Sequence, residues 1–191
     1  MESITIKGLT FVPYLTRDRI AEQVERVAGE ICRDYSAGDA PIFICVLSGA
    51  FVFAADLFRQ CAIPTSEITF MRFKSYEGTG STGTVNQVLG LKEDISGRHV
   101  IIVEDIVDTG VTAREMVSEL EKLNPASVRF ATLLYKPESN RTGFVPDYYG
   151  FSIPPKFIVG YGLDLDGMAR GLRDIYVVSE RPASPSPDTL T

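Results

Sequence analysis

The stretch HVIIVEDIVDTGVTAREM, residues 99–116, decides the architecture. Val100–Val103 is a short apolar run, the pattern of a strand covered on both faces. Glu104 and Asp105 follow it, then a third acid, Asp108. Next comes Thr109-Gly110-Val111-Thr112, small and hydroxyl-rich, where a helix begins. A buried strand running through a tight loop into a helix is the repeating unit of a parallel α/β sheet. The loop also poses a chemical puzzle. A helix start presents free N–H groups and the positive end of the helix dipole, which together favour an anion. Yet three carboxylates stand beside it.

The same alternation extends outward in both directions. In TRDRIAEQVERVAGEICRDY, Ile20, Val24, Val27 and Ile31 fall at helical spacing behind Thr16, a suitable N-cap. PIFICVL, residues 41–47, is a second fully apolar strand, and AFVFAADLFRQC a helix after the Ser48-Gly49 break. EITFMRFKSY alternates as a strand, AREMVSELEKL is a helix stopped near Asn124-Pro125, and SVRFATLLYK is another strand. The expected architecture is therefore α/β, a central and mostly parallel sheet flanked by helices on both faces. EGTGSTGTVNQ, with Gly78, Gly80 and Gly83, is long and small enough for a lid over about residues 75–87. RPASPSPDTLT, residues 181–191, buries almost nothing and is expected to be a disordered tail on a single domain of residues 1–180.

Composition narrows the partners. A chain of 191 residues with 45% hydrophobic and 23% charged residues suits one globular core. The net charge of −6 speaks against broad nucleic-acid binding, and no apolar run has the length of a membrane span. MESITIKGLT lacks a basic stretch followed by an apolar core, so no secretory leader is expected there. Cys32, Cys45 and Cys61 are odd in number and contain no C-x-x-C pair, which fits a reduced, cytoplasmic setting. Cys45 reads as a small core hydrophobe, and His99, the only histidine, as a strand-edge residue without metal-ligand companions.

Three chemistries compete for residues 104–112. The loop could be a turn that caps a helix. It could be a receiver-type acidic pocket that binds magnesium and takes a phosphoryl group. Or it could hold a ribose 5-phosphate, amides and hydroxyls on the phosphate and acids on the sugar. A Walker loop is excluded, because G-x-x-x-x-G-K-[ST] is missing. The third reading resolves the puzzle: ribose hydroxyls donate charge-assisted hydrogen bonds to the acids. Acids beside the sugar would also stabilise positive charge growing on its anomeric carbon.

At this point VIIVEDIVDTGVT resembles the phosphoribosyl-pyrophosphate motif of the type I phosphoribosyltransferases. LSGA, FKSY, LLYKP and KFIVGYGLDLDGMARGLRDIYVVSE resemble, in order and spacing, the hypoxanthine (hypoxanthine-guanine) branch of that purine family. The resemblance covers roughly Ile42 to Glu180 and implies a sheet with a small hood and a flexible lid loop. It implies Mg2+-dependent transfer of ribose 5-phosphate from phosphoribosyl pyrophosphate to N9 of hypoxanthine, and of guanine. The products would be the nucleoside monophosphate and pyrophosphate, the role purine salvage.

On that resemblance Glu104 and Asp105 hold the ribose hydroxyls with magnesium near, and Asp108, Thr109, Gly110, Val111 and Thr112 hold the 5′-phosphate. Asp108 also faces N7 of the purine as general acid/base, while Ile106 packs on the base and Lys136 donates to its 6-oxo group. Phe157 stacks on the ring, and Ile158 offers backbone contacts to its edge. Asp164 ligates magnesium at the purine side, completing a metal set of Glu104, Asp105 and Asp164. Pyrophosphate falls to Leu47, Ser48, Gly49 and Arg170, and closure to Ser75 and Tyr76. Relatives often carry lysine where Ser48 stands; a backbone role survives that change and a charge contribution does not. DLDG, residues 164–167, lacks the further acids of a calcium loop. The resemblance also implies small-molecule substrates, with no nucleic acid and no membrane, and a homodimer or homotetramer.

Overall fold

A computed structural model describes residues 2–74, 87–89 and 91–179. The chain opens with β1 (Ile4–Ile6) and β2 (Leu9–Leu15), then α1 (Arg17–Asp34). The Thr16 side chain accepts the Arg19 N–H at 3.2 Å and caps α1, whose buried stripe is Ile20, Val24, Val27, Ala28 and Ile31. There follow β3 (Ile42–Val46), α2 (Phe51–Cys61), β4 (Glu67–Lys74), β5 (Gln87–Leu89), β6 (His99–Val107), α3 (Val111–Glu121) and β7 (Ser127–Tyr135). A short 3-10 turn at Pro137–Ser139 leads to β8 (Tyr148–Ser152), β9 (Ile158–Val159) and β10 (Ile175–Val178).

The larger sheet has the order β5-β4-β3-β6-β7-β8, parallel throughout except for β5, which runs antiparallel to β4 at the edge. All five residues of β3 are buried, and they alternate between two apolar layers. Phe43 and Cys45 join Ile101, Val103 and the inner faces of α1 and α2. Ile42 and Ile44 join Val100, Ile102 and Phe130 against Ala113, Met116 and Leu120 of α3. Helices therefore cover both faces, as the apolar runs imply. Cys45 is fully buried, and His99 opens β6 with its ring hydrogen-bonded to Ser127 Oγ at 2.8 Å.

The topology also places the site. From β3 the chain moves outward to β4, then returns to β6 on the other side of β3 before continuing to β7. The strand order thus reverses between β3 and β6, and such switch points open a crevice beyond the carboxyl ends of the strands. The β3 end carries Leu47-Ser48-Gly49, and the β6 end carries Glu104 to Asp108.

A second, antiparallel sheet, β1-β2-β10-β9, forms a hood from the two ends of the chain. It is tied down by Lys7 Nζ on Asp166 Oδ2 at 2.6 Å and by the Arg17 N–H on Asp174 Oδ1 at 2.7 Å. Periodicity did not reveal its strands individually. The expected lid at Ser75 and Tyr76, and the tail at 181–191, lie outside the described residues. No described helix is long and apolar enough to cross a membrane.

Candidate active site

At the switch point, β3 ends in a turn over residues 47–50 whose Leu47 N–H donates to Met71 O at 2.8 Å. A side chain at Gly49 would displace the Asp105 carboxylate: its Cβ would fall 1.6 Å from Asp105 Oδ2. The turn and the second acid of β6 are therefore in direct contact, across two neighbouring strands. Leu47 and Ser48 are exposed.

Glu104 and Asp105 sit side by side, hydrogen-bonded to each other, and the Asp105 N–H donates to Glu104 Oε1 at 3.1 Å. Burial first, and then the Asp105 charge, pushes the Glu104 carboxyl well above its usual range. Burial also raises Asp105, against hydrogen bonds from Glu104 and the Ile106 N–H and the nearby charge of Arg170. Two carboxyls crowded so that ionisation is opposed will gain from a cation or from hydroxyl donors.

Glu104, Ile106, Asp108, Thr109, Gly110 and Thr112 come together around a cavity of about 250 Å3. Gly110 caps α3 in the left-handed region, φ 79°, and the Val111 N–H donates to Thr109 Oγ1 at 3.5 Å. The first-turn N–H groups of a helix favour an anion at this position. The loop is held from behind. Arg141 N–H donates to Thr109 O at 2.9 Å, and a Cβ on Gly110 would meet Thr142 Oγ1 at 2.5 Å. Asn140 organises that support, bonding the Tyr135 hydroxyl, the Thr142 and Gly143 amides and Phe144 O.

Lys136 is buried just beyond β7, its N–H on Val107 O at 2.9 Å. Its ammonium meets Asp108 Oδ2 at 2.8 Å, joining the two residues expected to handle the base. On the hood, Phe157 precedes β9, 45% exposed, with its ring 6.1 Å from Phe11. An aromatic left open at the edge of a sheet is available for stacking. Ile158 is buried in the same apolar layer that Ile106 packs against.

Asp164 and Arg170 are paired at 2.7 Å, and Asp164 also accepts the Gly167 N–H at 2.6 Å. Arg170 Nη1 donates to Gly162 O at 2.7 Å. Asp164 therefore does not join Glu104 and Asp105 in one cluster; among the described residues no three acidic, histidine or cysteine side chains gather as a metal site. A larger cavity, about 520 Å3, opens behind Arg170 between α1, α2 and residues 161–173. It holds none of the phosphate-loop residues, so its size does not make it the reaction centre.

Sequence reading missed the supports of this site: Asn140 and Thr142 behind the phosphate loop, and Asp56, Tyr161 and Gly162 behind the pyrophosphate turn. The paired glycines of GYG, residues 160–162, were the available signal, since close backbone approach is a common reason for glycine.

A loop of amides and hydroxyls at a helix start, with ribose-sized acids beside it at a switch point, defines a sugar-phosphate transferase site. Residues 14–166 match the phosphoribosyl transferase domain family, and the chain belongs to it. Among curated relatives, the hypoxanthine-guanine phosphoribosyltransferase of Streptococcus pneumoniae is 40% identical over 87% of this chain and 92% of its own. Among solved structures, a hypoxanthine-guanine phosphoribosyltransferase from Bacillus anthracis is 35% identical, with a TM-score of 0.78 over 87% of this chain and 96% of that one. The Trypanosoma cruzi hypoxanthine phosphoribosyltransferase in a ternary substrates complex reaches a TM-score of 0.81 at 34% identity, over 92% and 98% of the two chains.

Proposed function

We propose that the protein serves purine salvage by transferring ribose 5-phosphate from phosphoribosyl pyrophosphate to N9 of hypoxanthine and of guanine. The observation that carries this reading is the Lys136–Asp108 contact at 2.8 Å on the rim of the phosphate loop. It puts a cationic donor for a 6-oxo group beside a carboxylate for the base proton. A 6-amino purine would set donor against donor there, so adenine is disfavoured.

In this mechanism the amides and hydroxyls of residues 108–112 hold the 5′-phosphate, while Glu104 and Asp105 accept from the ribose hydroxyls. Phe157 stacks on the purine, Ile158 contacts its edge through the backbone and Ile106 packs beneath it. The C1–O bond to pyrophosphate breaks as N9 bonds to C1, and Asp108 takes the proton leaving N7. Arg170 and the backbone of Leu47, Ser48 and Gly49 receive the departing pyrophosphate. The crowded carboxyls of Glu104 and Asp105 fit Mg2+, which is held by one or two carboxylates together with substrate oxygens. Asp164, which stands apart from that pair and beside Arg170, would hold a magnesium separately. When bound, Mg2+ supplies charge neutralisation for the diphosphate.

Free thiols at Cys32, Cys45 and Cys61 support a reduced, cytoplasmic setting. We further propose a homodimer or homotetramer that acts on small molecules and binds neither nucleic acid nor membrane. The deciding experiment incubates the protein with Mg2+, phosphoribosyl pyrophosphate and a panel of hypoxanthine, guanine, xanthine and adenine. Inosine and guanosine monophosphates are expected; a folded protein that forms neither would end the proposal.

A further inference from the structure

The pyrophosphate turn is packed by two other segments. Asp105 crowds Gly49 from β6, and a Cβ on Gly162 would fall 2.1 Å from Gly49 O. Residues 160–162 can come so close because three successive residues lie in the left-handed region, Gly160 at φ 104°, Tyr161 at 49° and Gly162 at 99°. Glycine adopts this region freely, whereas tyrosine in the middle does so against steric resistance and needs an outside hold.

That hold is visible. The Tyr161 N–H donates to Leu172 O at 2.9 Å, and its buried phenol donates to Asp56 Oδ2 at 2.6 Å. Asp56 lies on α2, the helix that grows directly out of the pyrophosphate turn. Gly162 in turn donates to Arg170 O at 2.9 Å and accepts from the Arg170 guanidinium at 2.7 Å. One hydrogen bond thus joins the helix carrying the turn to the loop carrying Arg170 and Asp164. Burial and the Asp56 bond raise the Tyr161 phenol above its usual range, so it stays a donor at working pH.

We infer that Asp56 and Tyr161 are positioning residues for the pyrophosphate end of the substrate. In this role they act through their neighbours: together they fix the spacing between the residue 47–49 backbone and Arg170. The inference rests on the proposed assignment of that turn and that arginine to pyrophosphate.

The test compares Tyr161→Phe, Asp56→Ala and Asp56→Asn with the wild-type enzyme. Steady-state KM values for both substrates are measured, together with calorimetric binding of phosphoribosyl pyrophosphate in Mg2+. Tyr161→Phe and Asp56→Ala should raise KM and Kd for phosphoribosyl pyrophosphate several-fold, up to ~10²-fold, the scale on which small misplacements act. The KM for hypoxanthine should stay unchanged. Asp56→Asn keeps an acceptor oxygen and should restore the wild-type values. Folded Tyr161→Phe with a lower melting point but wild-type KM and Kd would overturn the inference and leave a structural bond only. Wild-type protein that binds phosphoribosyl pyrophosphate without turning over any base would sink the proposed reaction, and the Kd comparison alone would still decide this one. Absence of phosphoribosyl pyrophosphate binding in wild type would overturn both.

Discussion

Asp108 and Lys136 meet 2.8 Å apart, yet the duties proposed for them are separable. General acid–base help contributes ~10²–10⁴ in rate, so Asp108→Asn should lower kcat by about that factor. KM for phosphoribosyl pyrophosphate should move less, because the loop amides are untouched; unchanged kcat would remove Asp108 from proton transfer. Lys136→Ala acts on the base instead. A hydrogen bond to a charged donor contributes about 1.5–3 kcal/mol, which puts the rise in KM for hypoxanthine at roughly ten- to a hundredfold. An unaltered KM would show that the ammonium does not reach the 6-oxo group. Glu104 is different, because its environment opposes its charge. Its carboxyl is raised above the ordinary value of 4.5, so the folded state keeps a proton that the unfolded chain has already released. Stability is therefore highest below that value and falls as pH rises through the raised one. Glu104→Gln should flatten this decline and melt higher than wild type at neutral pH in chelator, while losing affinity for phosphoribosyl pyrophosphate. Parallel pH–melting curves for the two proteins would contradict it.

At the scale of elements, the phosphate loop works because β6 delivers its acids and α3 begins at once, with Gly110 making the corner. The next loop fills the space behind it, so alanine at Gly110 meets both an unfavourable φ and the Thr142 hydroxyl. Left-handed backbone alone costs an ordinary residue roughly 1–2 kcal/mol. Gly110→Ala should lose at least that much stability in urea titration and bind phosphoribosyl pyrophosphate more weakly; wild-type values for both would mean the corner is not constrained. The elements of the main sheet and its helices were legible in the sequence because their signals are local: the apolar runs of β3 and β6, the Thr16 cap and the stripe of α1. The hood was not. β2 contains Pro13, which weakens a strand signal, and it pairs with β10 from the far end of the chain, Phe11 opposite Val178. β9 has two residues and takes its form wholly from β10. The site followed the same division. Glu104, Asp105, Asp108 and the Thr109–Thr112 loop are contiguous in sequence. By contrast, the Asp56–Tyr161 bond joins residues 105 positions apart, and no periodicity encodes it.

The groups proposed to hold the substrates come from separate parts of the molecule: the β3 turn, the β6 loop, the end of β7, the hood and the residue 160–170 loop. A ligand that touches several of these must stabilise their common arrangement, because it binds the folded chain and not the unfolded one. The gain at a hundredfold excess over Kd is about 2.7 kcal/mol. For a chain of this size each kcal/mol moves the melting point by roughly 2–4 °C, so Mg2+ with phosphoribosyl pyrophosphate should raise it by ~5–10 °C. Scanning calorimetry of wild type and Glu104→Gln separates the two roles proposed for the half-buried β6 acids. The variant should start higher without ligand and rise less with it, since on the proposed assignment the carboxyl whose charge the empty fold opposes is the one that holds the sugar. An equal rise in both proteins would mean that Glu104 strains the fold without serving the ligand, and the assignment of the β6 acids to ribose would fall.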